Sequence, residues 1–149
     1  NAVEKLGNII KISGFKPDYI VGITTGGLIP LGLLAKQLDI DNILTVSVSS
    51  YNKKRKKELS INYLPEIDLS NQKVLLVDEI AETGETLKMI SYAVVKKYKI
   101  KELKTATIAV NKENCRFWPD FSVIIGQGEW IVFPWEKIDF PEYFIKPKA

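Results

Sequence analysis

The chain has 149 residues, of which 46% are hydrophobic and 26% charged, a composition that excludes disordered, collagen-like and coiled-coil chains. This length predicts one domain with a substantial core, and no apolar run approaches the roughly 18 residues of a membrane span. There is no histidine and one cysteine, Cys115, which excludes histidine-activated nucleophiles, histidine-ligated zinc and an internal disulfide. The available chemistry is that of carboxylates, amides, hydroxyls, lysines and a hard metal ion.

The net charge of +3 comes from one segment. The five consecutive residues Lys53–Lys57 are basic, and without them 16 basic and 18 acidic residues remain, a net charge of −2. A nucleic-acid surface spreads positive charge more widely, so we expect no stable nucleic-acid binding. The cysteine usage and the lack of a signal-peptide pattern favour a cytoplasmic protein without membrane contact. Because the first residue is Asn1 rather than Met, we expect a short leader to be missing.

Strands and helices alternate along the first half of the chain. Apolar residues at helical spacing predict a helix over 2–13, and a short apolar strand follows at 19–23. The segment 28–38 is predicted to be a helix with Pro30 in its first turn, where the missing N–H costs nothing. A strand is predicted over 43–49, followed by a basic loop at 51–57.

The alternation continues as far as residue 110. We predict a returning strand over 58–64, a buried strand at 74–77, a helix marked by residues 87–98 and a strand over 105–110. This order predicts an α/β domain with a mainly parallel central sheet flanked by helices. Residues 130–149 carry six of the 15 aromatic residues and three prolines, which favours an aromatic cap or arm instead of another sheet unit.

The residues best suited to ligand binding or catalysis lie at the end of the buried strand. Asp78 and Glu79 follow the run 74–77, at the edge where open α/β sheets bind ligands. The chain then turns through Thr83–Thr86 into a helix, whose free amides, dipole and hydroxyls suit a phosphate. Carboxylates beside a phosphate cradle suggest a ribose phosphate with Mg²⁺. A helix cap with solvated acids explains the pattern equally well.

A second strand-to-helix turn lies at Thr24–Gly27. It fits neither of the two standard glycine-rich nucleotide motifs, and an ordinary turn is the simpler interpretation of it alone. Two such turns in one small domain favour a ligand with two phosphate ends.

Along residues 20–136 these features resemble type I phosphoribosyltransferases, in the same order. The segment Asp78–Thr86 is similar to the family's phosphoribosyl pyrophosphate motif, and the turn 24–27 matches its pyrophosphate loop in position. Residues 49–51 resemble its mobile lid. The segment 130–136 is similar to the purine-binding hood of the microbial and archaeal hypoxanthine, xanthine and guanine branch. The resemblance implies one domain over 1–149, with a core of about 15–126, a hood of about 127–149 and 1–14 as a candidate addition to the hood.

The resemblance also implies roles for the matching residues. The acids Asp78 and Glu79 would hold the ribose hydroxyls, and Glu82 would be the catalytic proton partner of the purine N7. Magnesium would contact Glu79 and, through water, Glu136. The remaining residues implied for phosphoribosyl pyrophosphate are Thr25, Gly26, Gly27, Ala81, Thr83, Gly84, Glu85 and Thr86. Those implied for the lid are Ser50, Tyr51, Lys53, Lys54 and Arg55.

For the purine, Lys112 would reach the 6-oxo group, Trp130 would stack on the base and the Ile131 backbone would meet its far edge. A solvent-exposed lysine is an equally good interpretation of Lys112. Phe133 and Trp135 are predicted to serve packing. Cys115 is predicted to be an inert thiol, since no histidine activates it.

The sequence departs from the family pattern at several positions. Thr25 stands where the family commonly has Arg or Lys, and Glu85 adds negative charge beside the phosphate cradle. Glu79 and Glu82 replace aspartates, which moves each carboxylate by roughly 1.3–1.5 Å. We hypothesise that Lys53–Lys57 folds over the site and supplies the missing positive charge; a solvated loop is the alternative. The resemblance also implies a cis peptide between Thr24 and Thr25.

The implied function is purine salvage by a Mg²⁺-dependent homodimeric enzyme. It would transfer 5-phosphoribosyl from phosphoribosyl pyrophosphate to N9 of hypoxanthine, guanine or xanthine, giving the nucleoside monophosphate. The sequence leaves the choice among these bases open. The alternative is a non-catalytic sensor of nucleotide or phosphoribosyl pyrophosphate. Thr25 and the longer acids favour the sensor, whereas the hood and Glu82 favour the enzyme.

Overall fold

The computed structural model describes residues 1–54 and 56–144, with only the backbone described for Lys53 and Lys56. The helices are α1 (Ala2–Ser13), α2 (Leu28–Gln37) and α3 (Glu85–Tyr98). The strands are β1 (Tyr19–Thr24), β2 (Ile43–Lys53), β3 (Lys56–Tyr63), β4 (Lys73–Ala81), β5 (Glu102–Asn111) and β6 (Ile124–Gly126). Two short 3₁₀ turns, Pro134–Glu136 and Pro141–Phe144, lie in the hood segment.

The described residues form one six-stranded sheet in the order β3-β2-β1-β4-β5-β6. Every neighbouring pair is parallel except β2 and β3, which form an antiparallel hairpin at the edge. The order reverses between β1 and β4, which places the carboxyl ends of these two central strands beside each other. Open α/β sheets bind their ligands at such a point.

The continuous apolar run of β4 is explained by burial on both faces of the sheet. Successive side chains of a strand point to opposite faces, so Val74 and Leu76 pack with α3, whereas Leu75 and Val77 pack with α1 and α2. All four side chains are fully buried. The predicted α/β class with a mainly parallel sheet is therefore confirmed.

The basic segment has more regular structure than predicted. The expected loop at 51–57 is wrong for most of its length, because β2 continues to Lys53 and β3 begins at Lys56. Tyr51 pairs with Glu58 and Asn52 with Lys57, and Lys54 lies in the turn with φ of 46°. Pairing of the two strands satisfies backbone hydrogen bonds that a loop would leave to water. Arg55 lies outside the described residues.

α1 has the bounds 2–13 that the sequence predicts; its first turn is capped by the Asn1 side chain, and it ends at Gly14 in the left-handed conformation. Its residues Val3, Leu6 and Ile10 share one buried cluster with α2, the sheet and Phe133 of the hood segment. Among the helices of the described residues, none combines the length and apolar character that crossing a membrane needs.

Candidate active site

The two turns predicted from the sequence lie side by side at the carboxyl edge of the sheet. A cleft of about 210 Å³ is lined by Thr24 at the end of β1, by Gly26 after it, and by Asp78 and Glu79 of β4. The lid predicted over β2 contributes Ser49 and Ser50, and β3 contributes Lys57. Residues that are distant in sequence therefore form one polar site.

Asp78 and Glu79 point to opposite sides of the sheet edge because they are adjacent in a strand. Asp78 faces the start of α3 and accepts a hydrogen bond from the Glu79 backbone N–H at 2.8 Å. Burial raises the pKa of Asp78 to about 7, and the nearby Glu79 carboxylate adds to the increase. A carboxyl group that titrates near neutrality at a ligand edge is typical of a functional site.

Glu79 contacts both the first turn and the hood. A Cβ on Gly26 would lie 2.6 Å from Glu79 Oε1, so any other residue in this turn would displace the Glu79 side chain from its position. On the other side, Trp135 Nε1 donates a hydrogen bond to Glu79 Oε2 at 3.1 Å. Burial raises the pKa of Glu79, and Glu136 raises it further, whereas the Trp135 hydrogen bond lowers it.

Residues Ala81–Thr86 surround a cavity of about 100 Å³ that opens onto the amino end of α3. Gly84 has φ of 83°, a conformation that favours glycine, and the backbone and side chain of Phe117 leave no room for a Cβ there. The amides of the first helical turn lack intrahelical acceptors, and apart from that of Glu85, which donates to Thr83 Oγ1 at 3.3 Å, they are available to a phosphate. Glu85 also lines the cavity, but its side chain is exposed.

Lys57 lines both this cavity and the cleft beside it. Among the residues of the basic run whose side chains are described, Lys57 is the one that reaches the site. For Lys57, this supports the hypothesis that the run supplies positive charge to the site. Lys54 is exposed in the hairpin turn, and Tyr51 is exposed beside Glu58, which raises its pKa by a hydrogen bond. Neither lines the cleft.

Three of the residues predicted to bind the purine, Lys112, Trp130 and Ile131, line neither the cleft nor the cavity at the start of α3. Trp130 is 66% exposed and contacts the Phe140 ring edge at a centroid distance of 6.2 Å. The Ile131 side chain packs beside Gly126. Lys112 is exposed just after β5, and its backbone N–H donates to the Gly126 carbonyl at 2.9 Å.

Glu82 has a partner that the sequence analysis missed. The Asn111 Nδ2 group at the end of β5 donates to Glu82 Oε1 at 2.6 Å. Asn111 is buried, whereas Glu82 is exposed. The signal available in the sequence was the position of Asn111 at the end of a predicted strand adjoining β4.

Trp135 and Phe133 pack as predicted, with parallel rings 4.9 Å apart. Packing alone is nevertheless an incomplete description of Trp135, because its indole also binds Glu79. Glu136 Oε2 accepts a hydrogen bond from the Phe133 backbone at 2.7 Å, and Glu136 lines a cavity of about 260 Å³ with Thr25, Glu79 and Asp139.

Two predictions from the sequence concern single bonds or atoms. The peptide between Thr24 and Thr25 is cis, as the resemblance implied. Cys115 is buried, which raises its thiol pKa, and its Sγ donates to the Phe117 carbonyl at 3.2 Å. An inert thiol is the expected consequence of this burial.

Residues 2–138 match the family model described as the phosphoribosyl transferase domain. The chain belongs to this family. Curated relatives include the xanthine-guanine phosphoribosyltransferases of Cereibacter sphaeroides and Desulfotalea psychrophila. The former is 29% identical over 133 residues, covering 85% of this chain and 76% of the relative. The latter is 31% identical over 117 residues, covering 78% and 69% respectively.

The structural comparison agrees with the family model. The crystal structure of a purine phosphoribosyltransferase from Pyrococcus horikoshii Ot3 is 35% identical, with a TM-score of 0.77, covering 90% of this chain and 85% of that one. The resemblance, the fold and the phosphoribosyltransferase enzyme class expected from the sequence are therefore confirmed.

Proposed function

We propose that this phosphoribosyltransferase acts in purine salvage. It transfers 5-phosphoribosyl from phosphoribosyl pyrophosphate to N9 of a 6-oxopurine, giving the nucleoside 5′-monophosphate and pyrophosphate. The observation that carries the proposal is the convergence of the Thr24–Gly27 turn, the acids Asp78 and Glu79 and the cradle Ala81–Thr86 at one edge of the sheet. The relatives named as purine or xanthine-guanine phosphoribosyltransferases support the base class.

The two turns offer places for the two phosphate ends of the donor. The 5′-phosphate binds the free amides at the start of α3, where Lys57 adds positive charge. The pyrophosphate lies against the turn at Thr25 and Gly26, beyond the acids that hold the ribose hydroxyls. This arrangement places ribose C1 between the pyrophosphate and the base and fixes both reactants, which lowers the entropic part of the barrier.

In the reaction the bond from ribose C1 to the pyrophosphate oxygen breaks and the bond from C1 to purine N9 forms. The electron pair of the broken bond leaves with pyrophosphate, and the purine gives up one proton. Glu82 accepts that proton at N7 through its carboxylate. The ribose ring carries positive charge at the transition state, which the nearby Asp78 and Glu79 carboxylates stabilise.

The residues around Glu79 fit a magnesium ion. Glu79, Glu136 and Asp139 supply only oxygen ligands, and the repulsion between Glu79 and Glu136 is relieved by a cation. Within residues 1–54 and 56–144, no three ligating side chains are arranged as a complete metal site. Mg²⁺ commonly takes one or two carboxylates together with substrate phosphates and waters. When bound, it neutralises charge on the leaving pyrophosphate.

The base lies between Glu82 and the hood, with Trp130 stacked on it and the Ile131 backbone at its far edge. The exposed Trp130 ring offers a free face, and lysine is a donor only, so a 6-oxo group suits Lys112 better than a 6-amino group does. Hypoxanthine, guanine and xanthine are therefore the proposed substrates.

We assign this activity to a cytoplasmic homodimer. The α2 helix exposes Leu28, Ile29 and Leu33 directly after the first turn. An apolar helix face of this kind is typical of a surface buried between subunits.

The decisive experiment mixes the protein with phosphoribosyl pyrophosphate, Mg²⁺ and each of hypoxanthine, guanine, xanthine, adenine, uracil and orotate. Nucleotide formation is followed by chromatography. We expect turnover with at least one 6-oxopurine and none with the pyrimidines. Failure with every base would refute the proposed activity, and thermal stabilisation by nucleotide would then favour the sensor. That outcome would agree with Thr25 and with a cavity around it in which none of the described lining residues is basic.

A further inference from the structure

Asn111 is a buried polar residue at the ligand edge of the sheet. It ends β5, next to Val110, which pairs with Ala81 at the end of β4. Its exposed fraction is 2%, so it cannot contact a substrate directly. A buried amide needs hydrogen-bond partners, and those partners indicate its role.

Both ends of the Asn111 amide are engaged. Nδ2 donates to Glu82 Oε1 at 2.6 Å. Oδ1 accepts from the backbone N–H groups of Glu113 at 3.1 Å and Asn114 at 3.4 Å. Reversing the amide would place its NH₂ group against two N–H donors, so the loop fixes Nδ2 toward Glu82.

The consequence concerns the geometry of Glu82. This side chain is exposed and carries three flexible torsions, so by itself it samples several rotamers. The bond from Asn111 occupies Oε1 and leaves Oε2 for the purine. Because asparagine is neutral, it orients the carboxylate without cancelling the charge that accepts the proton.

We propose that Asn111 is the positioning residue for Glu82: it holds this carboxylate in the orientation that receives the purine proton. The inference rests on the proposed function, since it concerns the proton acceptor of that reaction. It assigns to β5 a role in catalysis that is distinct from the predicted contact of Lys112 with the base.

Substitution by aspartate isolates the contact with Glu82. Asn111→Asp keeps an oxygen for the N–H groups of Glu113 and Asn114 but replaces the donor with a second carboxylate. Two carboxylates sharing a site tend to hold one proton between them, and that proton restores a donor as the pH falls. The other charged or titratable groups around this pair are Lys57, Asp78, Glu85, Lys112, Glu113, Cys115 and Arg116.

Steady-state kinetics at pH 8 and pH 6 test the proposal. We expect Asn111→Asp to lower kcat about 100-fold at pH 8, the lower end for loss of general acid–base catalysis, and about tenfold at pH 6. The KM for phosphoribosyl pyrophosphate should change less than about twofold, since the phosphate cradle is unaltered. The matched control is Asn71→Asp, which adds the same charge in an exposed turn before β4 and should match the parent at both pH values.

A loss of kcat that is equal at both pH values and accompanied by a lower Tm would mean a structural role only, and would overturn the proposal. Unchanged kinetics would overturn it as well. Calorimetric titration with inosine monophosphate and with phosphoribosyl pyrophosphate separates this result from failure of the proposed function. If the parent binds the nucleotide without turning over any base, the enzyme assignment fails. Selective weakening of nucleotide binding in Asn111→Asp would still support the positioning role, and equal binding would refute it.

Discussion

The acid-bearing turn at residues 78–86 and the hood at 127–144 serve the same site but are positioned in different ways. The turn continues from β4, whose neighbours β1 and β5 pair with it on both sides. Within its described residues the hood has two short 3₁₀ turns after β6 and no strand pairing, and it is held by packing of Phe133, Ile131 and Trp135 on the core and by the hydrogen bond from Trp135 to Glu79. The proposed charge and phosphate chemistry therefore lies at the end of paired strands, whereas the proposed base recognition lies in a segment that side-chain contacts hold in place.

The largest loss of activity is expected for a substitution in the acid-bearing turn, at Glu82. Glu82→Gln keeps the size of the side chain and an oxygen for Asn111 but removes the proton acceptor. We expect kcat to fall by about 100-fold or more, with KM for phosphoribosyl pyrophosphate little changed, as measured by steady-state kinetics. Glu102→Gln, at the opposite end of the sheet, is the control. A loss of less than tenfold would remove Glu82 from the catalytic role.

The pH dependence of stability tests how strongly burial at the sheet edge disfavours the ionised form of Asp78. Because burial raises the pKa of Asp78 from 3.8 to about 7, the folded state holds a proton that the unfolded state releases between these values. Stability should therefore fall as the pH rises from about 4 to about 7. Asp78→Asn removes this loss and should stabilise the ligand-free protein at pH 8 by on the order of 4 kcal/mol, but not at pH 4.

Thermal melts across this pH range measure the effect, with Asp41→Asn on an exposed loop as the control. A difference between Asp78→Asn and the parent that stays constant with pH would contradict the assignment. The same substitution should weaken binding of the donor, so the stabilised variant is expected to be a poorer enzyme.

The basic hairpin is expected to contribute through Lys57. Lys57→Ala removes one charged donor from both the cleft and the phosphate cavity, so KM for phosphoribosyl pyrophosphate should rise about tenfold. The effect should shrink as salt is added, because screening weakens the attraction. Lys101→Ala, a lysine near the opposite edge, should leave KM unchanged. Equal effects of the two substitutions would mean that Lys57 acts only through net charge.

The smallest expected effect is on the hood. Trp135→Phe keeps the stack on Phe133 but removes the donor to Glu79. One lost hydrogen bond predicts a rise of about fivefold in KM for the purine, with kcat nearly unchanged. Trp118→Phe is the matched control outside the site. A larger effect on kcat than on KM would mean that Trp135 acts on the chemistry of Glu79 and not on attachment of the hood.

The sequence predicts those structural features that a local pattern of residues determines. The run 74–77, the acids after it and the start of α3 are visible because burial on both faces, strand ends and helix starts each leave a signature. The basic hairpin was partly missed, because cross-strand pairs such as Asn52 and Lys57 show no alternation of apolar residues. β6 has three residues, two of them exposed, and was not predicted.

Contacts between distant segments account for most of what was missed at the site. Asn111 meets Glu82 across 29 positions, and Trp135 meets Glu79 across 56. Neither pair has a characteristic spacing, since the sheet order and the path of the hood bring them together. The residue types were informative, but their partners depend on the fold.

The hydrogen bond between Trp135 and Glu79 also gives the molecule an optical reporter. Indole emission depends on the group that its N–H contacts, and here that group is a carboxylate at the centre of the site. The chain has three tryptophans, so replacing Trp118 and Trp130 by phenylalanine leaves one fluorophore beside Glu79. Occupation of the donor site then becomes readable in real time as a change in emission, without labelled substrate.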